Sequence, residues 1–450
     1  MNLKYGVEGF PAEFQWGVAT AAYQIEGAAF EDGRGLSIWD DFSHTAGRIL
    51  HGDTGDVACD HYHRMSADID LLEMLGVTHY RFSIAWPRIL PEGKVSPINS
   101  TGLDFYQRLV DKLLEKGITP TATLYHWDLP LALQTDGGWV NRDTAEHFAE
   151  YAALMVRVLG DRVGHWITHN EPWCSAVLGH LTGEHAPGIQ DPEATLSAAH
   201  NILLSHGWAV RAMRAVRPSA SVGITLNLNM IYGQNDAVET IKAVELQDAF
   251  ANRWYLDPIF YGQYPSALET IFGHMPAVLP DDMSQIQVPL DFLGINYYFS
   301  TVVVGNSSAT NPAWPVPVAR PEGPLTAMGW PVMPQGLRDL LLRLSRDYPM
   351  VPLVITENGA AYPDVPSTGT IPDRDRIRYL EAHIDAVHDA VTQGANVQGY
   401  YIWSFLDNFE WALGYAKRFG LFYVDFDTLQ RIPKESAFWY RDFLHHLPPF

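Results

Sequence analysis

Two glutamates stand where apolar runs end. Residues 167–172 read ITHNEP and deliver Asn170 and Glu171 directly before a proline, and residues 354–359 read VITENG and deliver Glu357 and Asn358 in the same way. An ionised carboxylate at the end of a buried run is costly unless it is paired or its pKa moves. For one such glutamate a helix cap or an arginine pair would be explanation enough. Two of them, 186 positions apart (357 − 171), ask for more if the fold brings both into one mouth. Such a pair has the residue types that glycoside hydrolysis requires. One carboxylic acid protonates the leaving oxygen, one carboxylate meets the oxocarbenium-like carbon, and no metal is needed.

The elements that must position them follow from the rhythm of the chain. Short β-branched or aromatic runs at 14–18, 79–85, 119–126, 165–170, 221–228, 292–297, 353–357 and 397–404 alternate with segments of helical period such as 103–116 and 374–393. Repeated βα units imply a parallel sheet, and eight of them close most economically into an α/β (β/α)8 TIM barrel. Barrels of this kind can exceed 400 residues as one unit, so residues 1–450 are expected to form a single domain. On this scheme Gln24, Arg81, His126, Asn170, Glu171, Asn296, Glu357 and Trp403 lie at or just past C-terminal strand ends, the face on which a barrel's site is built. The Pro-rich stretch 311–324 is expected to be a loop over one end.

Composition narrows the partners. With 30 Lys and Arg against 52 Asp and Glu, the formal charge is −22, and the field repels phosphate backbones and anionic lipid. Nucleic acid and membrane are therefore excluded as expected partners, leaving a small molecule and an open question of homo-oligomerisation. Cys59 and Cys174 lie far apart without a CxxC motif, so neither a metal site, a cofactor nor a disulfide framework is expected. His61 and His63, two apart in CDHYHR, would face different directions on a helix and read as structural. The first fourteen residues carry Glu8 and Glu13 and lack the apolar run of a signal peptide, so a cytoplasmic location is expected. The uncharged stretch 292–319 is broken by Asn, Ser, Gly and three prolines and does not read as a membrane span.

Further blocks lie along the chain in order: FQWGVATAAYQIEGA at 14–28, YRFSIAWPRI, LYHWDLP, THNEP at 168–172, GINYY, LVITENGAA at 353–361 and WSFLDNFEW. Together they resemble glycoside hydrolase family 1, the β-glucosidase family, over nearly the whole chain. The resemblance implies a retaining β-glycosidase, and more narrowly a β-glucosidase. Its expected substrates are terminal non-reducing β-D-glucosyl residues of cellobiose-like oligosaccharides and aryl or alkyl glucosides, which suggests a part in cellulose degradation.

Position by position, the resemblance implies that Glu171 protonates the aglycone oxygen and later activates water, while Glu357 forms the glycosyl-enzyme. Arg81 and Tyr298 would flank Glu357 and keep its pKa low. Asn170 would meet the sugar 2-hydroxyl, Gln24 and His126 the 3- and 4-hydroxyls, and Glu410 the 4- and 6-hydroxyls. Trp403 would lie beneath the glycone, Trp411 beside its polar edge and Trp330 under the aglycone. Relatives specific for 6-phosphosugars place serine, lysine and tyrosine where this chain has Glu410, Lys417 and Phe419. A phosphate beside an ionised Glu410 would also be repelled. A catalytically silent barrel would lack one of the glutamates, and both are here. His180, Met333 and Gln335 depart from residues usual in relatives, so aglycone preference does not carry over.

A retaining pair fixes the stereochemistry. An NMR time course of glucoside hydrolysis should show the β anomer of the sugar first, with the α anomer appearing only through mutarotation. Initial release of the α anomer would exclude a double displacement.

Overall fold

The computed structural model describes residues 9–305, 314–349, 351–366 and 371–445. Eight strands form the core: β1 (Gln15–Ala19), β2 (His79–Ser83), β3 (Thr119–Tyr125), β4 (His165–Asn170), β5 (Ser221–Asn227), β6 (Phe292–Asn296), β7 (Leu353–Asn358) and β8 (Val397–Trp403). All neighbours pair in parallel, and β1 closes on β8 to complete the barrel. The strand ranges expected from the sequence differ by no more than two residues at either end. Parallel strands covered on both faces are apolar almost throughout, and β7 is buried along its whole length.

Helices follow the strands and face the barrel with one apolar stripe. In Ser100–Glu115 the buried residues include Phe105, Leu109, Val110 and Leu113, spaced for one face of a 3.6-residue period. The chain leaves this helix through Lys116 and Gly117, and the glycine's φ of +70° is one a side chain would strain. The segment Arg374–Thr392 is helical as its period indicated. His61 and His63 open the helix His61–Leu75 and do face apart: buried His61 meets Asp68 at 2.8 Å, while exposed His63 meets Asp60 and Glu31. No described helix is long and apolar enough to cross a membrane.

Two small sheets sit outside the barrel. Ile231–Gly233 pairs in parallel with Thr301–Val303, and Phe422–Asp425 forms a hairpin with Gln430–Pro433. The first was not foreseen, because residues 301–303 lie in a stretch that reads as loop-bearing. Of the Pro-rich stretch 311–324, residues 311–313 lie outside the described residues, and the remainder joins the body through a bridge between Val303 and Val318.

The segment after β8, which carries Glu410 and Trp411, is held by buried charges. Asp407 accepts from Lys434 at 2.7 Å, from Arg418 at 2.7 Å and from the Gly420 amide at 2.9 Å. Lys434 also donates to Asp364 at 2.6 Å, and Asp364 is gripped in turn by Arg376 at 2.7 Å. Removing one partner strands the others in a low dielectric. Lys434→Met should therefore lower unfolding free energy by about 3–5 kcal/mol in urea titration. A loss below about 1 kcal/mol would mean that the network does not hold this segment.

Candidate active site

Strand register brings the polar residues to one level. Ala19 pairs with Arg81 and with Trp403, Asn170 with Thr225, Asn227 with Asn296, and Asn296 with Glu357. The strand ends open into a cavity of about 340 Å³ lined by His126, Asn170, Glu171, Tyr298, Trp330, Glu357, Trp403, Glu410 and Trp411. These are the residues expected from the sequence, apart from Arg81 and Gln24. Both of those are fully buried behind the lining.

Arg81 organises the floor. It donates to Glu357 Oε1 at 2.7 Å, to Asn170 Oδ1 at 2.6 Å, to the Thr356 carbonyl at 3.0 Å and to Thr123 at 3.1 Å. Tyr298 donates to the other Glu357 oxygen at 2.6 Å. With its Oδ1 turned to Arg81, Asn170 presents its amide nitrogen to His126 Nε2 at 3.0 Å. That nitrogen must then accept, so the ring proton sits on Nδ1, which has no protein partner. Burial and the charge on Arg81 hold the His126 pKa well below its usual value, so the ring is neutral and carries one unpartnered donor.

Glu171 has a different company. Asn296 donates to its Oε1 at 2.6 Å and the Cys174 thiol lies 3.0 Å from its Oε2. Burial, then the charge on Glu357, raises its pKa to about 7. Glu357 is itself lifted by burial, against the opposing pull of Arg81 and Tyr298. The expected depressed pKa is thus corrected: the two donors limit a rise that burial imposes. Glu357 has a guanidinium and a phenol to stabilise its anion and Glu171 only an amide and a thiol, so the proton retained near neutrality belongs on Glu171.

Glu410 corrects a second expectation. Burial, with the charges of Glu357 and Glu171, raises its pKa to about 8, so without a ligand it is mainly protonated at neutral pH. A fixed carboxylate charge at Glu410 is therefore no ground for excluding a phosphosugar. Lys417 donates to the Ala327 carbonyl at 2.7 Å, and Phe419 is buried and apolar. Glu410 Oε2 and Gln24 Oε1 have no partner. The Gln24 amide nitrogen is taken by Asn408 and the Phe409 carbonyl.

The aromatic residues divide by position. Trp403 is buried and lies nearly parallel to His126 at 5.9 Å, while Trp411 packs on Trp39 and Trp127, each at 4.6 Å. Trp330 is half-buried against Tyr298 and Phe299. Trp330 also lines a second cavity, of about 720 Å³, that touches Met333 and Gln335. His180 is buried, with Nδ1 on the Ser175 carbonyl, and lies outside the main cavity's lining.

Sequence reading gave no role to three residues here. Asn296, noted only as a strand-end residue, bridges Asn170 and Glu171. Trp127 donates to the Asn170 carbonyl at 2.9 Å. For Cys174 the signal in the sequence is its place three residues after Glu171, about one helical turn.

Relatives match this arrangement along the whole chain. The description of glycosyl hydrolase family 1 matches residues 7–447. The chain belongs to that family. It is 49% identical over 437 residues to β-glucosidase A of Acetivibrio thermocellus, covering 96% of this chain and 97% of the relative. It is 48% identical over 436 residues to a 1,4-β-D-glucan glucohydrolase of Thermotoga neapolitana, covering 96% and 97%. The structure of a Thermotoga maritima β-glucosidase in complex with glucoimidazole superposes with a TM-score of 0.94 at 48% identity, covering 98% of this chain and 100% of that one.

The raised pKa of Glu410 has a signed consequence for this family member. A carboxyl at about 8 in the folded state and near the ordinary 4.5 when unfolded makes its full contribution to stability below about 4.5, and that contribution falls as pH rises until it is gone above about 8. Glu410→Gln, which cannot ionise, should be more stable than the wild type by roughly 5 kcal/mol at pH 9 and nearly equal to it at pH 4. Parallel denaturation curves with no pH-dependent difference would show that Glu410 is not desolvated.

Proposed function

We propose that this family 1 glycosidase is a retaining β-glucosidase acting on terminal β-D-glucosyl residues of cellobiose-like oligosaccharides and aryl or alkyl glucosides. The observation that carries the reading is the unequal pair. In one cavity, Glu357 lies between Arg81 and Tyr298, while Glu171, with a pKa near 7, keeps a proton. Glu357 attacks the anomeric carbon as the bond to the aglycone oxygen breaks, and Glu171 gives that oxygen its proton. Glu171, now a carboxylate, takes a proton from water, which displaces Glu357 and restores the starting state.

His126 Nδ1, Glu410 Oε2 and Gln24 Oε1 lack protein partners, a place that sugar hydroxyls would fill; Trp403 offers apolar surface to a ring face, and Trp411 lines the cavity beside them. The names of the Acetivibrio and Thermotoga relatives support glucose as the glycone and β-glucans as one source of substrate. The commitment of Lys417 to Ala327 and the apolar Phe419 argue against a 6-phosphosugar. Two buried free cysteines, Cys59 and Cys174, support a reducing, cytoplasmic setting.

The two glutamates should fail differently. Glu357→Ala should lose nearly all turnover, on the order of 10⁴-fold or more. Glu171→Ala should still release a good leaving group such as dinitrophenol, then stall until azide attacks in place of activated water. Equal loss on activated and unactivated glucosides, without azide rescue, would remove Glu171 from the acid/base role.

A further inference from the structure

The hydrogen bonds around Glu171 assign its two oxygens different duties. Asn296 cannot be turned over: its Oδ1 accepts from Thr356 at 2.8 Å, and its Nδ2 donates both to Asn170 Oδ1 at 3.0 Å and to Glu171 Oε1 at 2.6 Å. Asn170 Oδ1 is fixed in turn by Arg81. An oxygen facing a committed N–H donor cannot also carry a proton towards it. The transferable proton of Glu171 therefore resides on Oε2, and the protein atom at hydrogen-bond distance from Oε2 is Cys174 Sγ, at 3.0 Å.

We propose that Cys174 is a positioning residue for Glu171: its thiol leaves the transferable proton on Oε2 and then serves the same oxygen as a donor once that proton has gone. A thiol is both a weak donor and a weak acceptor, and its hydrogen rotates about one bond. While Glu171 is the acid, sulfur accepts weakly from Oε2–H. When the proton leaves with the aglycone, the S–H turns to donate to the Oε2 carboxylate. When water returns a proton to Oε2, the thiol turns back. The thiol proton is never transferred, so the chemistry balances without it.

The fold supplies the geometry. Cys174 begins the π-helical turn Cys174–Leu181, and its amide donates to the Glu171 carbonyl at 2.9 Å, which places Sγ beside the carboxyl. Burial and the neighbouring carboxyl of Glu171 push the thiol far above its usual pKa, so it stays protonated. Arg81 from β2, Glu357 from β7, Tyr298 beyond β6 and Glu410 beyond β8 are the charged or titratable groups facing Glu171 from other elements, and Glu184 faces Cys174 from its own loop. Among the described residues, none of these others makes a hydrogen bond to Oε2.

The inference rests on Glu171 as the acid/base, and the test separates the two. The pH dependence of kcat/KM on p-nitrophenyl β-glucoside is measured for wild type, Cys174→Ala and Cys174→Ser. Cys174→Ala loses the donor to the carboxylate, so its alkaline limb should move up by about half a unit or more. Its kcat on a dinitrophenyl glucoside, where the base step limits, should fall roughly three- to tenfold with KM little changed. Cys174→Ser keeps both roles with a stronger donor and should restore kcat, with the limb at or below that of wild type. Limbs coincident with wild type in both variants, including an even loss across pH from altered packing, would overturn the role of Cys174. If Glu171→Ala also fails to show azide rescue, the acid/base reading itself falls; if rescue succeeds, only the inference about Cys174 is lost.

Discussion

The guanidinium of Arg81 is the interaction on which the rest of this site depends. It is fully buried in the middle of β2, and it reaches β7 through Glu357 and the Thr356 carbonyl, and β4 through Asn170. A buried cation is tolerated only when its donors are satisfied, and here the partners are the groups whose orientation the chemistry needs. Fixing the Asn170 oxygen turns its amide to His126 and sets the imidazole tautomer. Fixing the Asn170 oxygen also settles which way Asn296 faces, since only its amide nitrogen can donate to that oxygen, and hence which oxygen of Glu171 is free. One charge thus propagates through side-chain amides into the protonation pattern of the cavity.

Three acidic side chains share a poorly solvated space, and that crowding supplies their difference in function. Burial raises all of them, and mutual repulsion raises Glu171 and Glu410 further. Local donors then separate them: Glu357 receives the strongest, Glu171 weaker ones, and Glu410 is left with an open oxygen. Backbone strain accompanies this arrangement. Glu171, Trp127 and Trp411 have φ of +47°, +78° and +50°. Each such conformation costs on the order of 1–3 kcal/mol and persists only where surrounding structure over-determines it. Around Trp411 that structure is visible as ring contacts with Tyr23, Trp39 and Trp127.

The scaffold bears these costs at a distance. Lys434, Asp407, Asp364 and Arg376 join the segment after β8 to the loop after β7, so the loop carrying Glu410 and Trp411 is braced from behind. The cavity itself holds few charges that are not already committed to one another, which suits a neutral, hydroxyl-rich ligand better than an ionic one.

The sequence by itself determined the barrel and most of the lining. Eight apolar runs in βα alternation must be covered on both faces, so strand positions are legible locally, and polar residues at their C-terminal ends must meet in a closed sheet. Motif order added roles for Glu171 and Glu357 through resemblance. What only the tertiary structure decided is which partner each polar atom takes. The direction of Asn296, the His126 tautomer and the contact between Cys174 and Glu171 depend on distances across strands. The pKa values of Glu357 and Glu410 escaped the sequence for the same reason: a residue type names the charge, but desolvation and neighbouring charge, set by packing, decide whether it is carried.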